Sequence, residues 1–220
     1  MKQIEKDNNM KYNILFILVT IMTSYQAYSQ RVEITPMFGY QFGGAVDETE
    51  QAGGVFDYKD ALGLNGSGYA GLIIDVRLGQ RTLLEIAWDR QPTQMNFHEG
   101  NGETQEIVAS TDINLDYLHA GLIYDWSQTF FRPFVGGTAG IIRLDPKEDL
   151  KTEIHYSVAP VVGFKTFASK NFAIRAQVRF IVSNMPEKVL FEDAEGEGFH
   201  HEKETFMTQY QLGLGFVIGL

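Results

Sequence analysis

The stretch Gln209-Tyr210-Gln211-Leu212-Gly213-Leu214-Gly215-Phe216-Val217-Ile218-Gly219-Leu220 alternates with a period of two. Tyr210, Leu212, Leu214, Phe216, Ile218 and Leu220 fall on one face, and Gln209, Gln211, Gly213, Gly215 and Gly219 on the other. Successive side chains of a strand point to opposite sides, so this pattern predicts a strand separating two chemically different environments.

The same period recurs upstream. Phe172, Ile174, Ala176, Val178, Phe180 and Val182 oppose Arg175, Gln177 and Arg179; Leu84, Ile86 and Trp88 oppose Glu85, Ala87 and Asp89. Val32, Ile34, Phe38, Tyr40 and Phe42 oppose Glu33, Thr35, Gly39 and Gln41, and Leu72, Ile74, Val76 and Leu78 oppose Asp75 and Arg77. In the segment 112–124 the apolar phase changes near Tyr117-Leu118, which reads as a β-bulge. Tyr40, Trp88, Tyr124 and Trp126, near segment ends, fit aromatic girdles at two membrane interfaces.

Eight strand-like segments emerge, and their connectors alternate in length. Irregular runs at 44–63, 97–110, 145–153 and 184–205 are separated by tight turns at 79–81, 127–129 and 168–171. An up-and-down barrel threaded through an outer membrane has this asymmetry, with short periplasmic turns and long external loops. The predicted fold is all-β: an eight-stranded antiparallel up-and-down transmembrane barrel. Every backbone group within a bilayer must be paired, so the first strand is expected to close against the last.

At the N-terminus, Lys2, Lys6 and Lys11 precede the apolar run 14–19, and Ala27 and Ser29 offer small residues to a signal peptidase. Residues 1–29 read as a signal peptide with cleavage before Gln30, Met10 being an alternative start, and 30–220 as the barrel domain. The apolar run is shorter than the roughly 20 residues a membrane-spanning helix needs. Sec-type export and delivery to the outer membrane of a Gram-negative cell follow as the expected route. The formal net charge of −10 argues against nucleic acid, whose binding is driven by basic surfaces. The absence of cysteine excludes disulfides and thiolate chemistry.

The segment Phe131-Arg132-Pro133-Phe134-Val135-Gly136-Gly137-Thr138-Ala139-Gly140 resembles the Arg-Pro-aromatic-x-Gly-x-x-x-Gly strand opening of small outer-membrane barrels. Such barrels commonly end on an alternating apolar strand that the insertion machinery recognises, usually with an aromatic last residue where Leu220 stands here. Together with the signal peptide and loop asymmetry, these features resemble the eight-stranded outer-membrane β-barrel domain family that includes the outer-membrane protein A transmembrane domain. The resemblance implies the fold, contact with outer-membrane lipids and lipopolysaccharide, and handling by the barrel-insertion machinery. It carries no functional residue.

Three groups of residues are candidates for chemistry. Glu33, Asp75, Arg77, Glu85, Asp89, Arg175 and Arg179 share the predicted lumen face. Eight strands enclose a lumen that side chains fill, so these charges are expected to pair across the axis as a plug, with Glu85 the best partner for Arg175 and Arg179. A narrow or gated pore is the other reading. His155 and Ser157, two apart on a strand, are similar to the His-x-Ser pair of lipid A deacylases, barrels whose outward His and Ser cut an acyl chain with an acidic residue's help. Val158 stands where those enzymes have Asn, and the neighbouring segment offers Lys165, Lys170 and Arg175 in place of an acid. Glu195, Glu197, His200 and His201 carry the ligand types of a metal site without the spacing of a calcium loop.

The leading expectation is a non-enzymatic, monomeric outer-membrane barrel with a plugged polar lumen and no cofactor, in a structural role or presenting its acidic loops to an extracellular partner. The rivals are a lipid A-modifying hydrolase using His155 and Ser157, and a secreted lipocalin-like lipid-binding barrel with an apolar interior.

Overall fold

The computed structural model describes residues 32–44, 46–47, 61–100, 105–127, 129–147, 152–185, 188–190, 199–201 and 205–220. The predicted signal peptide lies outside them. Eight long strands form the barrel: β1 Val32–Gly43, β2 Ser67–Arg77, β3 Thr82–Gly100, β4 Gln105–Asp125, β5 Phe131–Pro146, β6 Glu153–Phe167, β7 Phe172–Met185 and β8 Thr205–Gly219. Each pairs antiparallel with its sequence neighbours, and β1 closes on β8 from Glu33↔Gly219 to Gly43↔Gln209. Closure removes both sheet edges and pairs the backbone around the ring, as a membrane-crossing strand protein requires. No helix occurs among the described residues.

The strands are staggered. Following paired residues from Ile34 through Ile74, Ile86, Ala120, Ala139, Val158 and Val182 leads to Thr208, and Thr208 O accepts the Gly44 N–H at 2.7 Å. One circuit thus climbs ten positions, from 34 to 44, which tilts every strand against the barrel axis.

Three of the expected irregular connectors contain pairing. Residues 97–110 belong largely to β3 and β4, strands of 19 and 21 residues that run on as one long hairpin. Spanning hydrocarbon takes only about 9–11 residues of tilted strand, so this hairpin extends well past it. Within 44–63, Val46–Asp47 pairs with Ala61–Leu64, which pairs in turn with the upper end of β3 from Leu64↔Met95 to Ala61↔His98. Inside 184–205, Lys188–Leu190 pairs with Phe199–His201.

The bulge expected near Tyr117-Leu118 is absent. The register of β4 runs unbroken through those residues on both sides, and the irregularity lies at Phe97/His98. Inward and outward positions of β4 alternate evenly from Thr111 to Asp125. What changes is chemistry: Ile113 and Leu115 point inward with Asp112, Asn114 and Asp116 outward, whereas farther down His119 and Asp125 point inward with Leu118, Leu122 and Tyr124 outward. The outward face turns polar at Arg90, Asp116 and Arg143, which are register neighbours on β3, β4 and β5. Below that level Phe38, Leu72, Ile86, Leu122, Val162, Val178, Leu214 and Phe216 stand exposed. A soluble barrel cannot afford such a belt, so the lipocalin-like reading fails on its exterior.

Candidate functional site: the barrel lumen

The half of the lumen nearest the tight turns carries the charges. Nine side chains connect in strict alternation of sign: Asp125, Arg77, Glu33, Lys165, Asp75, Arg175, Glu85, Arg179 and Asp89. Arg77 Nη2 lies 3.2 Å from Asp125 and 3.5 Å from Glu33. Lys165 Nζ donates to Glu33 and Asp75, both at 2.7 Å. Arg175 donates to Asp75 at 3.0 Å and to Glu85 at 2.5 Å, while Arg179 donates to Glu85 at 3.0 Å and Asp89 at 2.8 Å.

Arg77 on β2 bonds carboxylates of its own side of the wall, while Lys165, Arg175 and Arg179 on β6 and β7 reach across the axis to carboxylates on β1, β2 and β3. Glu85 sits at the centre, holding one oxygen toward each arginine. Arg175 also donates through Nε to Gln177 at 2.7 Å, and its guanidinium lies 4.6 Å from the centre of the Phe134 ring. Gly71 makes room for the network, since a Cβ there would fall 2.1 Å from Asp89 Oδ1.

All seven lumen residues read from sequence meet here, joined by Lys165 and Asp125, which that reading missed. Lys165 was hidden because Gly163 breaks the inward pattern before it and Thr166 and Phe167 blur the alternation after it. Asp125 ends β4 beside a turn, where a carboxylate usually signals nothing more than the turn. Unpaired, any of these ions would carry the full cost of leaving water. Each of the nine has at least one partner of opposite sign, although Asp75 Oδ1, Asp125 Oδ1 and Arg179 Nε accept or donate no hydrogen bond among the described residues.

Above the ions lies a layer of neutral polar groups. Gln41 Nε2 donates to Tyr117 Oη at 2.9 Å, Tyr117 Oη donates to Gln209 Oε1, and Gln211 Nε2 donates to Gln41 Oε1 at 3.2 Å. At the top the lumen is apolar: Leu64, Met95, Ile113, Leu115, Ile142, Leu144, Ile181 and Met207 pack as one buried cluster. The expected polar lumen is therefore corrected for its upper third, which is mostly apolar.

His155 and Ser157 point inward and are buried, while their outward neighbours Ile154, Tyr156 and Val158 face away from the barrel, Tyr156 at 78 % exposure. They do not form a pair. His155 Nε2 bonds Glu153 at 2.8 Å, and Ser157 Oγ instead meets His119 Nε2 at 2.7 Å. Thr138 Oγ1 donates to the Ala159 carbonyl at 3.3 Å and lies 3.1 Å from His119 Nδ1. Its oxygen is thus left to accept from Nδ1–H, and Nε2 accepts from the Ser157 hydroxyl. This order joins β4, β5 and β6 through one imidazole, which period reading passed over as a lone histidine on a mostly apolar strand. An acyl chain in the bilayer cannot reach an inward serine, so the geometry expected of a deacylase is not present at His155 and Ser157.

Glu195 and Glu197 lie outside the described residues. His200 and His201 fall on the short strand 199–201, whose side chains are not among those described. No group of three or more potential metal ligands occurs among the described residues.

No family model and no curated protein matches the chain. Solved structures do. Neisserial surface protein A aligns over 86 % of this chain and 96 % of its own, with a TM-score of 0.54 at 12 % identity. OprG of Pseudomonas aeruginosa gives the same coverage, a TM-score of 0.53 and 12 % identity. The outer membrane protein AlkL, solved in DMPC bilayers, aligns over 89 % of this chain and 96 % of its own, with a TM-score of 0.50 and 14 % identity. The fold is that of a small eight-stranded outer-membrane barrel. At these identities the likeness extends to the fold alone.

Proposed function

We propose that the chain is a non-enzymatic outer-membrane barrel whose lumen is plugged, and whose activity lies on its extracellular surface. The observation that carries this reading is the stacking of two unlike seals: an ion-pair chain across the lower lumen and a mostly apolar cluster above it, with Thr111 and Ser183 buried at its level. A solute would have to break paired charges and then displace packed Leu, Ile and Met side chains. The apolar belt below Arg90, Asp116 and Arg143 supports residence in a bilayer, with both mature termini periplasmic after Sec-type export and removal of residues 1–29. Outer-membrane lipids and lipopolysaccharide surround it, the barrel-insertion machinery places it, and the protein acts as a monomer.

The connectors 48–60 and 191–198 are rich in Asp and Glu, so they suit divalent cations shared with lipopolysaccharide phosphates, or an extracellular partner. His200 and His201 would give such a contact a pH response near 6–7. Fractionation and gel mobility test the reading together. The protein is expected in the detergent-requiring envelope fraction, and boiled and unboiled samples should migrate differently. Recovery in the soluble fraction without detergent would overturn it.

A further inference from the structure

Above the apolar belt, the outward residues of four adjacent chain segments form one polar row. Asn65, Gln94, Asp112 and Lys147 stand side by side, beyond Leu64, on β3, on β4 and just past β5. Lys147 Nζ donates to Asp112 Oδ2 at 3.0 Å, and Gln94 Nε2 donates to Asp112 Oδ1 at 3.1 Å. Asn65 Nδ2 donates to Gln94 Oε1 at 3.4 Å, and Asn96 Nδ2 donates to Asn65 Oδ1 at 3.0 Å. The backbone holds the same neighbours, with Asn65 N–H on Gln94 O and Lys147 N–H on Asp112 O, both at 2.9 Å.

The row edges a cleft of about 350 Å³ whose floor includes Gly66, Ser67 and Pro92. Tyr40, half exposed, lies directly beneath: a Cβ on Gly66 would come 2.8 Å from Tyr40 Oη, so glycine is what lets the phenol approach this turn.

We propose that this cleft binds a neutral pyranose sugar. Sugar hydroxyls both donate and accept, and so do the amides of Asn65 and Gln94 that line the cleft, while Asp112 adds a strong acceptor. The hydrogen bond from Lys147, reinforced by Gln94, holds the Asp112 carboxyl below its usual range, so it stays ionised at neutral pH and cancels the ammonium. A phosphate or sulfate therefore finds no net positive charge here, whereas a polyol finds a matched set of partners. The row repeats at the strand spacing of about 4.8 Å, close to the length of one sugar unit, so a short glycan laid across the strands meets a polar group at each unit. The ring of Tyr40 and the face of Pro92 supply the apolar surface that a pyranose C–H face covers.

Ordinary solvated sheet surfaces also carry Asn, Gln and Lys. This one differs in that its polar groups are joined by hydrogen bonds that converge on Asp112 from both sides, and in that the half-exposed Tyr40 ring lies against Gly66 at its edge. The assignment rests on the proposed orientation only for which sugars can reach the cleft.

The test uses isotope-labelled full-length protein in detergent micelles, titrated with the methyl glycosides of glucose, galactose and mannose. Saturable shifts of the Asn65, Gln94 and Asn96 side-chain amide signals are expected with at least one sugar, with affinity on the order of millimolar. Gln94→Leu removes the central donor and acceptor and should weaken binding roughly tenfold, and Asn65→Ala, at the neighbouring amide of the lining, should weaken it as well. Lipopolysaccharide in nanodiscs separates the sources: if it shifts the same signals, the sugar belongs to the surrounding membrane; if only free glycosides do, it comes from outside the cell. Silence in both arms, or unchanged affinity in both variants, overturns the site. Heat-dependent gel migration, followed in parallel, reports the barrel separately, so a failed sugar site and a failed barrel reading give different results.

Discussion

Below the level of Arg90, Asp116 and Arg143 the lumen holds the ion pairs beside two small apolar clusters and the outer face is apolar; above it, on β3, β4 and β5, the inner face is mostly apolar and the outer face polar. β4 carries both regimes in one unbroken register, from Ile113 and Leu115 inward to His119 and Asp125 inward. The inversion needs no kink, because a strand alternates whatever lies on either side. The solvent decides. Where hydrocarbon surrounds the wall, Glu85, Arg175 and Arg179 have only the lumen and one another. Where water surrounds it, Ile113, Leu115 and Leu144 pack inward for the usual hydrophobic reason, and Asp112 and Lys147 face out. The two storeys are thus held by different forces, and substitutions should tell them apart.

The largest effect is expected at the centre of the ionic storey. Glu85→Ala strips both arginines of a shared carboxylate and should cost about 3–5 kcal/mol, read as a lower temperature of the folded-to-unfolded gel transition. An unchanged midpoint would mean that water, not Glu85, satisfies those guanidinium groups. Outside the same storey, Ile86→Lys places an ammonium on the lipid-facing belt and should cost about 2–4 kcal/mol near the midplane. Gln94→Lys, above the inversion, should leave stability within about 0.5 kcal/mol. Equal costs at 86 and 94 would erase the boundary.

In the apolar storey, Leu115→Ala should cost about 2–3 kcal/mol, toward the low end for buried leucines because the hairpin end can partly collapse. The smallest effect is expected at the exposed Lys147–Asp112 pair. Lys147→Met should leave the midpoint of the gel transition unshifted, in high salt as in low.

The lower storey was the legible part. A strand in hydrocarbon must show apolar residues on every second position, so the face carrying Glu33, Asp75, Glu85, Arg175 and Arg179 could be read directly. Their pairing could not, because the ten-residue stagger, and not proximity in sequence, decides that Glu85 meets both arginines. The upper storey misled. Ile113 and Leu115 followed by Leu118 and Leu122 look like a slipped phase when a lipid-facing pattern is assumed throughout, and the structure shows a change of surroundings instead. The upper end of the β3–β4 hairpin escapes for a related reason: residues 97–110 read as an irregular connector, because no lipid-facing apolar alternation marks them, although most of them belong to the two strands. His155 and Ser157 share a face, as their spacing requires, but the side of the wall they face depends on the phase of β6, set by Ile154, Tyr156 and Val158 outside.

Single-channel recording of the purified wild-type barrel in planar bilayers tests the sealed lumen most directly. The two stacked seals predict a silent baseline across a wide range of voltage. Large, stable conductance steps, reproducible from one insertion to the next, would contradict the plug and with it the assignment of function to the outer surface.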